Sequence, residues 1–144
     1  MKSIILRTEE ARRLQEAGKV QIRRVVKPQP PLSEWGITKP WKTSSFAVGK
    51  PLGNDHREYK CPYQPGDVLW VRETWAKVYV PDGTTANKDV VVYRADNPQG
   101  LLKPNKWRPS INMPRWASRA DVVVKDVRVE QDTEWVWVIE LERE

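Results

Sequence analysis

The stretch Trp135-Val-Trp-Val-Ile-Glu-Leu141 alternates large apolar side chains with smaller or polar ones, and every odd position in it is large and apolar. Because successive side chains of a strand point to opposite faces of a sheet, this period of two predicts a half-buried β-strand. The turn-forming residues Gln131-Asp-Thr133 precede it, and the valine-rich residues 122–129 before that turn predict another strand. The last part of the sequence is therefore predicted to lie in a β-sheet.

Further strands are predicted upstream. Pro65-Gly-Asp67 has the composition of a turn, and Val68-Leu-Trp-Val-Arg-Glu-Thr-Trp75 after it has that of a strand. Val78-Tyr-Val80 and Val90-Val-Val-Tyr-Arg94 flank a Pro-Asp-Gly sequence, which predicts a hairpin with an elaborated tip. About five or six strands with this turn spacing favour a small, mostly antiparallel β-barrel. We therefore expect a mainly β, α+β fold and a single domain over residues 1–144.

The N-terminal residues predict one helix followed by a strand. Thr8 has the side chain of a helix N-cap, and Gly18 is placed to end the helix. Glu9 and Glu10 lie where the helix dipole favours anions. Lys19-Val-Gln-Ile-Arg-Arg-Val-Val26 then alternates for several residues, which predicts a strand that leaves the helix.

Residues 27–62 are interpreted as a long irregular loop. They contain six prolines, several Gly and Ser residues and only scattered apolar ones. A loop of this length inside a compact domain is uncommon and typically forms a functional lid or a partly disordered segment. Trp35, Trp41 and Phe46 indicate that it docks in places, and His56 is interpreted as a solvated loop residue.

The charge of the chain is unevenly distributed. The formal net charge is +6, and residues 1–27 carry eight cations and three acids. Residues 97–120 carry five cations and no acid, whereas residues 130–144 carry six acids and one Arg. Two basic blocks and one acidic block create an oriented field that can attract a polyanion, although each block alone is also compatible with an ordinary solvated surface.

Composition excludes several classes of protein. The hydrophobic content of 39% and the charged content of 31% fit a soluble globular protein, and no segment resembles a signal peptide or a membrane span. The single Cys61 excludes an internal disulfide and favours a cytoplasmic protein. One His and one Cys make a zinc site improbable, so neither a metal nor another cofactor is expected.

One segment, Lys106-Trp-Arg-Pro-Ser-Ile-Asn-Met-Pro-Arg-Trp-Ala-Ser-Arg119, interleaves cations, indole rings and prolines and contains no acid. Indole rings can stack on bases, and Arg can bind phosphate through two hydrogen bonds. The alternative is a loop whose Trp residues fill a small core while its Arg residues face water. The candidate binding residues in this segment are Lys106, Trp107, Arg108, Ser110, Arg115, Trp116 and Arg119.

Two other groups of residues are candidates for a site. Lys19, Arg23 and Arg24 follow the predicted helix, where a cation can bind phosphate, cap the helix or, if buried, act as a base. In the strand over residues 68–75, one face carries Trp70 and Arg72, and the other carries Glu73 and Trp75. A buried Glu73 could act as a general acid or base, but such a Glu more commonly pairs with an Arg.

Several blocks resemble the phage and prophage branch of the ASCH-domain proteins, which have a PUA-like β-barrel. They are Gly18-Lys-Val-Gln-Ile-Arg-Arg-Val-Val26, Gly66-Asp-Val-Leu-Trp-Val-Arg-Glu-Thr-Trp75, Tyr93-Arg-Ala-Asp96, the segment 106–119 and Trp135-Val-Trp-Val-Ile-Glu140. The resemblance implies a small PUA-like antiparallel barrel with an N-terminal helix. It also implies a pocket between the N-terminal helix–strand and the barrel that is associated with RNA or modified nucleosides.

Some ASCH relatives are amidohydrolases that deacetylate acetylcytidine. The resemblance implies that their chemistry uses a Lys, a Thr three residues later and an acid from a helical insertion before the last strand. Lys19 matches the Lys, but Ile22 replaces the Thr and cannot be a nucleophile. Only residues 130–134 separate the last two predicted strands, so the insertion is missing. The hydrolase activity is therefore not carried over, and Lys19 and Glu73 remain the only catalytic candidates.

Three functions from different classes follow from the sequence. The chain is interpreted first as a non-catalytic RNA- or nucleotide-binding module of phage or prophage origin. It is expected to need neither a membrane nor a metal, and a monomer is favoured although the sequence leaves the oligomeric state open. The alternatives are a small amidohydrolase of an acetylated nucleoside and a phage structural or host-interaction protein. The first function predicts that Lys19, Arg72, Glu73 and Arg115 converge on one cleft.

Overall fold

The computed structural model describes residues 1–27, 29, 36–42, 45–49, 56–80, 88–100, 103–104, 106–131 and 133–144, and only the backbone of residues 36–42, 45–49, 56–58, 79–80 and 88–89. The described chain is mainly strands with one α-helix, α1 (Thr8–Ala17). The strands are β1 (Ser3–Ile5), β2 (Lys19–Val25), β3 (Gly36–Lys42), β4 (Ser45–Gly49), β5 (His56–Lys60), β6 (Val68–Arg72), β7 (Trp75–Val80), β8 (Lys88–Tyr93), β9 (Asp121–Gln131) and β10 (Trp135–Arg143). The mainly β, α+β class predicted from the sequence is confirmed.

Five strands form one mixed sheet in the order β1-β6-β9-β10-β2. The sheet is mixed because β1 runs parallel to β6, with Ser3 opposite Trp70 and Ile5 opposite Arg72. Its order begins at β1 and ends at β2, and the described residues contain no closed barrel. The predicted strands β2, β9 and β10 are confirmed, and in β10 all the large apolar odd positions are buried.

The strand predicted over residues 68–75 is two strands. β6 ends at Arg72, and β7 begins at Trp75. β7 and β8 form the predicted antiparallel hairpin, in which Trp75 lies opposite Tyr93 and Val80 opposite Lys88. The tip of this hairpin, residues 81–87, lies outside the described residues. Glu73 lies in the break between β6 and β7 and therefore belongs to neither strand.

The helix α1 begins one residue earlier than the sequence predicted. Arg7, not Thr8, is the N-cap, because the Arg7 carbonyl already accepts a hydrogen bond from the Ala11 amide at 2.9 Å. A Glu10 carboxylate oxygen accepts a hydrogen bond from the Arg7 amide at 2.8 Å, so the acidic first turn satisfies an amide at the helix start. Gly18 ends the helix in the left-handed conformation, with φ +74°, as predicted.

The irregular loop predicted over residues 27–62 is wrong in its described part. β3, β4 and β5 form a three-stranded antiparallel sheet in that order. Pro40 belongs to β3, which is an edge strand, and the register of β3 on β4 shifts on both sides of Lys39. Proline is tolerated at edges and bulges because no ladder hydrogen bond is lost there. Trp35 and the side chains of Trp41, Phe46 and His56 lie outside the described residues.

Contacts divide the chain into two compact units. Unit 1 comprises Met1–Val20, Leu69–Val122 and Arg143–Glu144, and unit 2 comprises Gln21–Val68 and Val123–Glu142. Unit 1 contains α1, the β7–β8 hairpin and most of the candidate binding residues, and unit 2 contains the three-stranded sheet. α1 has 10 residues, and no helix among the described residues is long and apolar enough to cross a membrane. The single ASCH/PUA-like domain stays a prediction.

Candidate nucleic-acid interface

The acid-free segment 106–119 forms a short β-bridge at Arg108, followed in sequence by two 3₁₀ turns. At the bridge, the Arg108 amide donates to the Trp75 carbonyl at 2.7 Å, and the Trp75 amide donates to the Arg108 carbonyl at 3.3 Å. The turns Ser110–Asn112 and Arg115–Ala117 each follow a proline in the extended conformation. Proline restricts the backbone before each turn, so the sequence itself sets where the turns begin.

Hydrogen bonds and packing fix this segment to the strands of unit 1. The Tyr93 hydroxyl donates to the Ala117 carbonyl at 2.6 Å, and the Ser118 hydroxyl donates to the Val71 carbonyl at 2.8 Å. Met113 and Ala117 are buried against Trp75 in one apolar cluster. These contacts anchor the segment to the strands of unit 1.

The four indole rings predicted to bind a ligand lie in different environments. Trp75 is 2% exposed and packs in the interior of unit 1. Trp70 is also buried, and Trp107 is half-buried. Trp116 is 64% exposed. Trp116 is thus the ring that presents the most surface to a ligand.

The Trp116 ring packs against the buried ring of Trp75. The Trp116 and Trp75 rings meet edge to face, with centroids 5.9 Å apart and planes at 87°. The Lys77 ammonium lies 5.0 Å from the Trp116 centroid, and the Arg108 guanidinium lies 5.0 Å from the Trp75 centroid. Together Trp116, Lys77 and Arg108 form a surface with a fixed aromatic ring and two cations, which we call the Trp116 surface.

The buried ring of Trp70 supports two more cations. Arg72 stacks on it at 4.6 Å, and Arg115 lies at 5.7 Å from the ring centroid, which confirms that Trp70 and Arg72 share a face. Arg72 also donates to the Ile111 carbonyl at 3.3 Å, and Arg115 pairs with Asp121 at 3.1 Å. These contacts orient both guanidinium groups, and half of the Arg115 side chain remains exposed.

Glu73 is buried and paired. Arg119 donates two hydrogen bonds to it, at 3.0 Å and 3.2 Å, and also pairs with Asp96. The Arg119 guanidinium lies 4.1 Å from the Tyr93 ring centroid. Burial raises the pKa of the Glu73 carboxyl above its ordinary value, although the hydrogen bonds from Arg119 lower it. The pairing with Arg that the sequence favoured for Glu73 is confirmed, and Arg119 already has two carboxylate partners.

The remaining predicted residues have other environments. Lys19 is exposed at the start of β2, and Arg23 pairs with Glu130 at 2.9 Å within unit 2. An Arg24 nitrogen donates to the Arg23 carbonyl at 2.9 Å. Lys106 is exposed, and Ser110 begins a 3₁₀ turn. Of the four residues predicted to converge, the structure brings Arg72 and Arg115 together on Trp70.

Two structural facts bear on the amidohydrolase positions. Ile22, at the position of the Thr, is 1% exposed and belongs to the core. β9 ends at Gln131 and β10 begins at Trp135, so the connection between them is too short for a helix. Among the described residues, no three His, Cys, Asp or Glu side chains are grouped as metal ligands would be.

Lys77 and Tyr93 are site residues that the sequence interpretation missed. Lys77 lies two residues after Trp75 in β7, the spacing at which side chains share a face of a strand. Tyr93 lies opposite Trp75 in the hairpin register. Tyr93 belonged to the predicted hairpin, whereas Lys77 lay between the two predicted strands, and the use of both residues required knowing that segment 106–119 packs against this hairpin. No family model, curated protein or solved structure matches the chain, so its function is inferred from its own residues.

Proposed function

We propose that the chain is a nucleic-acid-binding protein that takes single-stranded RNA on the Trp116 surface. The observation that carries this proposal is an indole ring that is 64% exposed and yet fixed by an edge-to-face contact with a buried Trp. A base can stack on such a ring whatever its identity, because every base has a π-face. A rigid ring also loses little conformational entropy when the base binds.

The cations around the ring match a phosphate backbone. Lys77 and Arg108 make no ion pair with any described residue, and both are exposed. Arg115, half exposed, lies in the 3₁₀ turn that carries Trp116. A base on the Trp116 ring would place its own and neighbouring phosphates within reach of long basic side chains, and such contacts supply most of the affinity for nucleic acid.

The finer fold assignment belongs to the same proposal. We infer a PUA-like fold of the ASCH type, of phage or prophage origin, from the sequence blocks that resemble that family. The mixed sheet with a single N-terminal helix supports this inference. The described residues contain no closed barrel, so an experimental structure of the whole chain in which no further strand joins β1 to β2 would contradict the PUA-like assignment.

The test of RNA binding is the substitution Trp116→Ala, measured by fluorescence anisotropy with a labelled single-stranded RNA of about 12 nucleotides. Loss of one stacked base should weaken binding by between about five-fold and about a hundred-fold. Trp116→Phe should retain part of the affinity, because the smaller ring still stacks. The free energy of unfolding of each variant, from urea denaturation, shows whether the fold is intact.

Ile111 provides a matched control. It is also 64% exposed and lies in the same segment, but it has no aromatic face. Ile111→Ala should leave RNA binding within about two-fold of the unchanged protein, because no stacking is lost. Equal losses for both variants would show a general apolar docking surface. Absence of RNA binding by the unchanged protein would favour a structural or host-interaction role instead.

A further inference from the structure

Unit 1 contains a cleft that the Trp116 surface does not use. It has a volume of about 720 Å³ and lies between the first half of α1 and the chain that follows β8. Residues that line it include Glu9, Arg12, Arg94, Lys103 and Trp107. Neither Trp116 nor the cations of β2 predicted from the sequence belong to its lining. Its volume lies within the range of small-molecule sites in proteins.

Hydrogen bonds fix two walls of the cleft. The Arg12 Nε atom donates to the Ala95 carbonyl at 3.1 Å, and Arg12 also pairs with Glu9 in the preceding turn. The Arg94 amide donates to the Thr74 carbonyl at 3.1 Å, which holds the 3₁₀ turn Arg94–Asp96 against the end of β6 and the start of β7. Arg12 thus joins the helix directly to the turn, which sets the spacing of these two walls.

The free charge of the cleft is positive. Arg94 and Lys103 are exposed, and neither makes an ion pair with a described residue. The carboxylate of Glu9 is already occupied by Arg12. Two cations without carboxylate partners on one concave surface favour a compact anion with several oxygen acceptors, and a phosphate monoester carries close to two negative charges at neutral pH.

The apolar part of the cleft is aromatic and stiff. Trp107 is half-buried, and Pro98 and Pro104 also line the cleft. An indole ring and two cations in one lining combine a stacking face for a flat ring with binding groups for an anion attached to that ring. A free phosphate would leave the Trp107 ring unused, and an apolar ligand would leave Arg94 and Lys103 unused.

We propose that this cleft binds a nucleoside monophosphate, with the base against Trp107 and the phosphate on Arg94 and Lys103. The same chemistry occurs in a free mononucleotide and in the 5′-phosphorylated end of an RNA strand. The proposal does not depend on the Trp116 surface, because no residue is shared between the two sets.

Isothermal titration calorimetry on the full chain tests the site with adenosine 5′-monophosphate, adenosine and inorganic phosphate. Binding of the monophosphate should be at least about ten-fold tighter than binding of either part, as expected for charge-assisted hydrogen bonds added to stacking. Arg94→Gln and Lys103→Gln should each weaken binding of the monophosphate and leave binding of adenosine unchanged. Trp107→Leu should weaken binding of both adenosine and its monophosphate, because both contain the base. Equal binding of adenosine and its monophosphate would overturn the proposal, and so would no binding.

Two further arms complete the design. A short RNA with a 5′-phosphate is compared with the same RNA with a 5′-hydroxyl. If the protein prefers the 5′-phosphate and Arg94→Gln abolishes this preference, the ligand is the end of an RNA strand. If only the free mononucleotide binds tightly, the ligand is the small molecule. Trp116→Ala should leave binding of adenosine 5′-monophosphate unchanged, which separates failure of this site from failure of RNA binding at the Trp116 surface. Lys125→Gln removes one exposed cation of unit 2 and serves as the charge control. An equal loss in Lys125→Gln and Arg94→Gln would show attraction by net charge and overturn the site.

Discussion

The Glu73 side chain is only 2% exposed, and its ionised form depends on one partner. A buried carboxylate is costly to desolvate, and the two hydrogen bonds from Arg119 offset that cost only in part, since burial still raises the pKa of Glu73. Asp96, the second partner of Arg119, is half exposed and adds a negative charge that raises the same pKa further. The structure therefore makes Glu73 sensitive to any loss of Arg119.

Arg119→Met should destabilise the protein by about 3 kcal/mol at pH 7, because it leaves a buried carboxylate without its partner. The loss should shrink on acidification. Without Arg119 the pKa of Glu73 in the folded protein rises further above its unfolded value of about 4.3, so the folded state binds more protons between the two values. The stability of Arg119→Met therefore decreases as the pH rises from the unfolded pKa of Glu73 to its folded pKa. It recovers as the pH falls back towards the unfolded pKa. Urea denaturation at several pH values measures this.

The double variant Glu73→Gln with Arg119→Met is the control for that prediction. It removes the buried charge and its partner together, so its loss of stability at pH 7 should be smaller than that of Arg119→Met and should not shrink on acidification. A loss for Arg119→Met that is the same at pH 7 and under acidic conditions would instead show that Arg119 stabilises the fold through its packing on Tyr93.

At the level of elements, the C-terminal end of α1 is formed by the backbone of Gly18. Gly18 has φ +74°, its amide donates to the Leu14 carbonyl at 2.8 Å, and a Cβ placed there would meet nothing within 4 Å. Its carbonyl also accepts a hydrogen bond from the Arg143 amide at 2.7 Å, which ties the helix end to β10. A substitution at this position therefore changes conformational strain without creating a steric clash.

Gly18→Ala should lower the free energy of unfolding by about 1 to 2 kcal/mol, the cost of the left-handed conformation for a residue with a Cβ. Gly18→Asn should cost less, because Asn adopts this conformation more readily. Urea denaturation followed by circular dichroism measures both variants. A larger loss for Asn than for Ala would indicate that side-chain volume sets the cost, and equal losses would contradict the explanation by φ.

The elements that the sequence predicted are those with a local signal. β10 has strict alternation, and α1 has acids in its first turn and Gly18 at its end, so each could be recognised from its own residues. β1 could not, because three residues become a strand only by pairing with β6, more than sixty positions later. β3 was hidden by Pro40, because the cost of a proline vanishes at an edge strand.

The site shows the same division between local and long-range information. The composition of segment 106–119 indicated rings and cations on one stretch, and its prolines indicated turns. It could not show that Trp75 is interior while Trp116 is exposed, because both are Trp residues beside cations and differ only in what packs on them. Nor could it show that Arg119 is occupied by Glu73, whose position in sequence is 46 residues away.

Across the whole molecule, acids and cations differ in how far they are paired. In unit 2, Glu130 and Glu140 of the acidic block accept hydrogen bonds from Arg128, and Glu130 also pairs with Arg23. In unit 1, the exposed cations of residues 97–120 include Lys103, Lys106 and Arg108, which have no carboxylate partner among the described residues. Part of the negative charge is therefore neutralised internally, and the positive charge of unit 1 remains available to a polyanion.

This distribution predicts how RNA affinity depends on salt. Each phosphate contact with single-stranded RNA contributes about −0.7 to the slope of the logarithm of the binding constant against the logarithm of salt concentration. Arg108→Gln and Lys77→Gln should therefore each make the slope shallower by about 0.7. Lys125→Gln removes the same charge from an exposed position in unit 2 and should leave the slope unchanged. Anisotropy titrations across a range of salt concentrations give these slopes. If Lys125→Gln makes the slope as shallow as Arg108→Gln does, RNA responds to the net charge of +6 rather than to the Trp116 surface.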